Sequence, residues 1–300
     1  MNVAEYRLGL ALITGSAIAW STAGFFTRLL AALDGWTMLA WRGIFGTIGI
    51  AVVILAMERH NAWRVARTMA WPGWLYAIVS AVGMVLFVTS LRHTTVAHVA
   101  VIYATVPFIA AALGWLLMRE RPSRNAVIAS IAALAGVALM VGLGTEGGLF
   151  GDLLALAMTL CMAAMMVIAR RFHDIPTMPA ACLSALLSGL VCWPFGEPLA
   201  VSGYDLSILA LFGLVNSAVG LALFTLGARL LPAIETALIG SLDAPLAPLW
   251  VWLAFGETPG MSTIAGGLIV FAAVAVHIVV EARKRQAVAS PLDGEPGLVS

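Results

Sequence analysis

Ten stretches of roughly twenty residues, each nearly free of charge, follow one another along this 300-residue chain. They run approximately Leu8–Leu33, Trp36–Met57, Trp71–Leu91, Thr95–Met118, Asn125–Leu143, Gly151–Arg170, Ala180–Phe195, Leu206–Leu230, Pro232–Phe255 and Ser262–Val280. The seventh is the shortest and is interrupted by Pro194. Hydrophobic residues make up 62% of the chain and charged residues 10%, with mean hydropathy +1.01, so a soluble domain of this size could not cover the apolar surface. With lipid as the solvent, every backbone N–H and C=O must be paired internally, which leaves helices or closed barrels. Barrel strands are short and alternate in polarity. The runs here are long and unbroken, so the sequence predicts an all-α integral membrane protein of ten transmembrane helices.

Thirteen of the sixteen basic residues fall on one side of the predicted membrane. They are Arg7, Arg59, Arg64, Arg67, Arg119, Arg121, Arg124, Arg170, Arg171, Arg229, Arg283, Lys284 and Arg285, against Arg28, Arg42 and Arg92 toward the other. Basic residues accumulate on the cytoplasmic side, so both termini are expected there, as an even number of spans requires. Net charge is only +1, which gives no support to a nucleic-acid partner. Cys161, Cys182 and Cys192 lie in apolar runs without ligand spacing and read as packing residues. The N-terminal run is too long for a cleavable signal.

Comparison of the chain with itself adds a second constraint. Ser80–Phe87 reads SAVGMVLF and Ser217–Phe224 reads SAVGLALF, six identities in eight at a shift of 137. The same shift pairs Arg92 with Arg229, Ala100 with Ala237, Trp115 with Trp252, Glu120 with Glu257 and Pro122 with Pro259, while a shift of 142 sets Gly9 on Gly151 and Arg28 on Arg170. Each half then holds five spans, an odd number, so the second enters the membrane from the opposite side. The predicted layout is a first five-helix repeat over residues 1–146, an inverted second over 147–285, and a disordered cytoplasmic tail over 286–300. Inverted repeats recur in secondary transporters, where pseudo-symmetric halves exchange inward-open and outward-open shapes around a central site. Duplication kept for assembly alone is the other reading.

The residues that carry the repeat also carry a likeness. The fourth span ends in RERPS around Glu120, its counterpart in GETPG at Glu257, and the opening AWSTAGFFTRLL (Ala19–Leu30) and WRGIFG (Trp41–Gly46) complete the pattern. In these features the chain resembles the EamA type of the drug/metabolite transporter superfamily, from about Leu8 to Val280. The resemblance implies a multi-pass protein of the bacterial inner membrane, cargo such as amino acids, aromatic ones included, and a peripheral fifth and tenth helix. Four-helix relatives exchange protons on an acidic residue in the first helix. This chain has none there, because after Glu5 the next acid is Asp34.

Small residues at Ser80, Ala81 and Gly83 and at Ser217, Ala218 and Gly220 could bring spans three and eight together, and Ala129, Gly136, Gly266 and Gly267 spans five and ten. Ionisable residues inside spans are costly and therefore functional candidates. Arg42, about six residues into its span, could grip a substrate carboxylate or a helix-end carbonyl. Asp243, midway along span nine, could couple to protons, meet an amine, or make a structural bond. His98 and Glu235 occupy equivalent repeat positions; His98 is a candidate to bind substrate or a hydrogen-bonded interfacial histidine, and Glu235 is a second candidate for proton coupling, although a carboxylate at a helix start is favoured in any case. His277 reads as interfacial. Among aromatics, Trp36, Trp63, Trp71 and Trp74 read as interface anchors, whereas Trp20, Phe25, Phe87, Tyr103, Trp115 and Phe224 lie inside spans and could line a cavity for a flat side chain. Ser21, Thr22 and Asn216 could add polar contacts, and Pro107, Pro245 and Pro248 mark spans four and nine as broken beside a pathway.

No HExxH, GxSxG or P-loop pattern occurs, and the five histidines are scattered, so no catalytic residue, metal or cofactor is expected and ATP does not drive the protein. The expected partners are a small-molecule substrate, an amino acid or related metabolite, and the lipid bilayer. Oligomeric state is open. A membrane-embedded enzyme and a channel or scaffold are the competing classes, and saturable counterflow separates a carrier from both.

Overall fold

The structure is a computed structural model that describes residues 3–58, 69–142, 148–172 and 176–289. Among these, ten helices are long and apolar enough to cross a membrane: α1 (Ala4–Leu29), α2 (Gly35–Ala56), α3 (Trp71–Leu91), α4 (His98–Met118), α5 (Arg124–Val141), α6 (Leu149–Arg171), α7 (Met178–Phe195), α8 (Gly203–Gly227), α9 (Ala233–Phe255) and α10 (Met261–Lys284). Their ends lie within about four residues of the expected ones. The last helix continues to Ala289, taking in the start of the segment read as a tail. Residues 290–300 lie outside the described residues, as do Arg59, His60, Trp63, Arg64, Arg67 and His173.

Four spans are not simple α-helices. α1 is interrupted at Thr22. α4 breaks between Tyr103 and Val106, and α9 between Gly240 and Asp243. These breaks coincide under the 137-residue shift, because Ala104 and Thr105 map onto Ser241 and Leu242. The breaks expected from the prolines are present, and Pro107 and Pro245 occupy the first turn of the segment that follows each, where a missing N–H is harmless, while Pro248 alone sits inside a segment. α8 passes through a π-helical stretch, Gly213–Leu221, of the kind that recurs at functional sites. The closing residues of α4 and α9 also correspond: Arg119 and Gly256 both adopt the left-handed conformation, with φ 57° and 69°.

Lipid tails are as apolar as leucine, so close backbone approach rather than water exclusion holds such helices together. α5 and α10 pack along their lengths, as their small residues lead one to expect; a Cβ on Gly136 would lie 2.7 Å from the Gly266 carbonyl oxygen. The small stripes of α3 and α8 behave differently from expectation. Each packs on the first helix of the opposite half, Gly83 against Cys161 of α6 and Gly220 against the Trp20 indole of α1. Other contacts also come in exchanged pairs: α1 with α8 and α6 with α3, α2 with α8 and α7 with α3, α1 with α9 and α6 with α4. α2 packs on α7, and α4 on α9. Leu55, Leu116, Ile128, Leu253 and Leu268 point outward, each more than half exposed, as a lipid-facing shell requires.

One helix start shows how a short polar sequence fixes an end. Asp34 caps α2, its carboxylate accepting from the backbone N–H of Trp36 and Thr37 and from the Thr37 hydroxyl. Thr37 Oγ1 also accepts from Glu197 N–H, tying the α7–α8 connection to the same point. Partial burial works against charge at Asp34, but the hydrogen bonds from Thr37 and Trp36 outweigh it and hold the carboxyl below its ordinary range. A lowered value stabilises the fold above the unfolded-state value and loses that contribution as pH falls through the folded one. Asp34→Ala therefore lowers stability by about 1 kcal/mol at neutral pH, and the difference from wild type shrinks in acid. Thermal unfolding in detergent across a pH series measures both.

Candidate functional site

Asn216 is the residue on which the central polar contacts converge. It sits in the π-helical stretch of α8, 3% exposed, and its amide nitrogen donates to the carbonyls of Ala19 and Trp20 at 3.4 and 3.3 Å. The Trp20 indole N–H returns a bond to the Asn216 carbonyl at 3.0 Å, and Ser16 donates to the Gly220 carbonyl at 2.9 Å. The widened turn of α8 thus offers its carbonyls to α1 side chains, with no Cβ at Gly220 to keep the indole away. The Trp20 ring lies 4.8 Å from the ring of the fully buried Phe224.

Arg42 reaches this group from α2. One terminal nitrogen donates to Asn216 Oδ1 at 2.9 Å, the other meets the Met84 sulfur at 3.1 Å, and the guanidinium lies 5.7 Å from the Phe212 ring centre. Its Nε is buried without a partner, and no carboxylate approaches it among the described residues. A guanidinium with five N–H groups is here held by one amide oxygen, one thioether and one ring face. Ser21 is buried, donating to the Ile18 carbonyl and accepting from Trp250 Nε1 at 2.8 Å, which links α1 to the second segment of α9. Tyr103 and Asp243 flank the breaks of α4 and α9 and stand within electrostatic reach of each other.

The remaining expected residues lie apart from this group. Phe25 belongs to an apolar cluster toward the far end of α1, against Phe26 and Phe255. Phe87 is 37% exposed and Trp115 58%, and neither joins a ring pair among the described residues. His98 stands at the start of α4, its Nδ1 3.1 Å from both oxygens of Asp152 on α6, which also accepts from Thr94. Glu235 starts α9 and accepts from Tyr6 of α1 at 3.0 Å. His277, read as interfacial, is 1% exposed with Nε2 3.6 Å from the same carboxylate, because α10 packs beside α9 and turns that face inward.

The helix ends carry a further pattern. Arg28 pairs with Glu257 at 2.6 Å, joining the ends of α1 and α9, and Arg170 pairs with Glu120 at 3.3 Å, joining the ends of α6 and α4. Arg28 corresponds to Arg170 and Glu257 to Glu120 under the two repeat shifts, so one ion pair occurs twice, at opposite ends of the molecule. Arg170 also donates to the Arg229 carbonyl at 3.0 Å. All four residues stand out in the sequence, but nothing there pairs Arg28 with Glu257 or Arg170 with Glu120. The contributions of Met84, Trp250, Tyr6 and Asp152 left no signal in the sequence.

Ten apolar spans, two of them broken near the middle beside the partly buried Tyr103 and Asp243, define a polytopic membrane protein. The chain belongs to the EamA-like transporter family, whose profile matches residues 7–142 and again residues 149–279. It is similar to the uncharacterized transporter YojE of Bacillus subtilis (strain 168), 24% identical over 283 residues, which cover 88% of this chain and 91% of that one. YyaM of the same organism, also an uncharacterized transporter, is 20% identical across 91% of this chain and 92% of its own. A crystal structure of a protein 20% identical in sequence matches 93% of this chain and 99% of that one with a TM-score of 0.79, a likeness of fold. The protein is accordingly a multi-pass membrane transporter, a class that lies in the inner membrane in bacteria.

Proposed function

We propose that this transporter is a secondary carrier that exports amino acids or related carboxylate-bearing metabolites by alternating access around Arg42 and Asn216. The observation that carries the reading is the state of Arg42, a partly buried cation with a buried, unpartnered Nε and no counter-charge among the described residues. A cation inside a span costs several kcal/mol unless something offsets it. A substrate carboxylate would do so through the planar fork, and the Trp20–Phe224 pair beside Asn216 would suit an aromatic side chain. Two inverted halves, residues 1–146 and 147–285, with both termini cytoplasmic, are part of the proposal. The exchanged helix contacts and the duplicated ion pair support it.

The decisive test is uptake of labelled phenylalanine and tryptophan into proteoliposomes preloaded with unlabelled solute. Saturable counterflow is expected, and its absence from vesicles holding folded protein sinks the amino-acid assignment.

Alternating access makes the two ion pairs latches at opposite ends. Arg170 and Glu120 are 17% and 38% exposed, Arg28 and Glu257 52% and 49%, so the first pair is the better shielded and the stronger latch. Glu120→Gln opens the end that bears the termini and raises labelling of a cysteine placed beside Arg170 about fivefold. Glu257→Gln raises labelling at the other end instead. Equal labelling in both variants removes the latch role.

A further inference from the structure

We propose that Glu235, Tyr6 and His277 form a proton-binding site through which a proton gradient drives this carrier, an inference that rests on the transport reading above. The three side chains come from α9, α1 and α10 and are 2%, 1% and 1% exposed. Tyr6 donates to Glu235 Oε2, and His277 Nε2 lies 3.6 Å from the same oxygen, within ion-pair range but too long for a hydrogen bond. Neither ring nitrogen of His277 has a hydrogen-bond partner among the described residues. A histidine buried this deeply with both nitrogens unpartnered beside a carboxylate is poorly explained as scaffold, because each unmade bond destabilises the fold.

Proton counting gives the arrangement its use. With one proton shared between Glu235 and His277, the pair is neutral overall, either as carboxylic acid and imidazole or as carboxylate and imidazolium. Losing that proton leaves a net negative charge in a site closed by α1 and α10, which burial opposes. The closed packing therefore holds the proton, and separation of the helices lets water take it from the imidazole or carboxyl. By linkage, proton loading then favours the closed packing to the same extent. The first segment of α9, Ala233–Gly240, carries Glu235 and ends at the break beside Asp243, so its movement away from α1 changes the central site as well.

Other charged groups at this end have partners of their own or are exposed. α4 and α6 bring the mutually paired Glu120 and Arg170 to the same end, and α5 begins at the exposed Arg124. α10 carries Glu281 one turn beyond His277, with Lys284 at 3.9 Å. Asp243 has Tyr103 within electrostatic reach but forms no ion pair among the described residues, and this favours Glu235 of the two carboxylates in α9.

The test reconstitutes full-length protein in liposomes and measures, with labelled phenylalanine, counterflow at equal pH and accumulation under a pH gradient. Infrared difference spectra between acid and alkaline pH are recorded on the same protein. Wild type accumulates substrate under the gradient and shows a titrating carboxyl band. Glu235→Gln lowers the ratio of accumulation to counterflow at least about tenfold and lacks the band. Tyr6→Phe keeps the ring and removes a donor to the carboxylate, so the pH profile of accumulation moves toward alkaline pH by about one unit. His277→Gln lowers the ratio as Glu235→Gln does. Gradient-driven accumulation that persists in Glu235→Gln, or a band unchanged by that substitution, overturns the site. If wild-type counterflow is absent the amino-acid assignment fails, and the infrared band alone then decides whether Glu235 binds a proton.

Discussion

On the proposed amino-acid reading, Arg42→Met lowers counterflow by at least about thirtyfold, while the protein still inserts and purifies as a monodisperse species. Methionine fills most of the arginine volume, and the partners it leaves are adaptable: Met84 is a soft thioether and Asn216 keeps its bonds to Ala19 and Trp20. The fold therefore loses little, and removing an unpaired cation from a span even relieves a desolvation cost. A bound carboxylate loses its charge-assisted bonds, and truncating one partner of a buried charge pair costs about 2–5 kcal/mol, enough for the stated factor. Arg42→Lys separates charge from geometry, because a point charge cannot reproduce the two-pronged contact, and it restores only part of the activity. Undiminished counterflow in Arg42→Met, with folding intact, would assign Arg42 to the scaffold and move the substrate site elsewhere.

The second large effect is on folding. At Gly43 of α2 a Cβ would stand 2.5 Å from the Gly189 Cα and 2.7 Å from the Ala185 carbonyl oxygen of α7. These are backbone atoms, so no side chain can swing aside, and α2 and α7 must separate along a long shared face. Gly43→Val should cost at least about 3 kcal/mol and yield aggregated or degraded protein. Gly35→Ala is the control, since nothing lies within 4 Å of a Cβ there. Size-exclusion chromatography and thermal unfolding in detergent distinguish the two. Normal folding of Gly43→Val would mean that α2 and α7 are not in backbone contact.

Most of the fold was legible in the sequence, and the reason is the solvent. Lipid requires each span to satisfy its own backbone, so apolar runs report helices directly, without the ambiguity of short segments in soluble domains. The family was legible too, because its motifs sit at the ends of spans where charge and proline are conspicuous. The site was legible only in parts. Trp20, Ser21, Arg42, Asn216 and Phe224 were singled out for residue type; the structure brings Trp20, Arg42, Asn216 and Phe224 together at or beside the π-helical stretch of α8, while Ser21 meets Trp250 of α9. Phe25 and Phe87 were singled out on the same grounds and lie elsewhere, since an aromatic in a span gives no sign of which side of its helix faces protein.

The sequence by itself determined ten helices, the likeness of the two halves and the absence of recognisable enzyme or ATP-binding motifs, because these follow from hydropathy and from self-similarity along the chain. Only the tertiary structure decided that the small stripes of α3 and α8 each pack on the first helix of the opposite half, that Arg28 meets Glu257, and that Tyr6 and His277 enclose Glu235. The partners in Arg28–Glu257 and Tyr6–Glu235 are each 229 residues apart. Nothing local specifies such meetings; they depend on how each helix rotates about its own axis, and close packing across the halves sets that rotation.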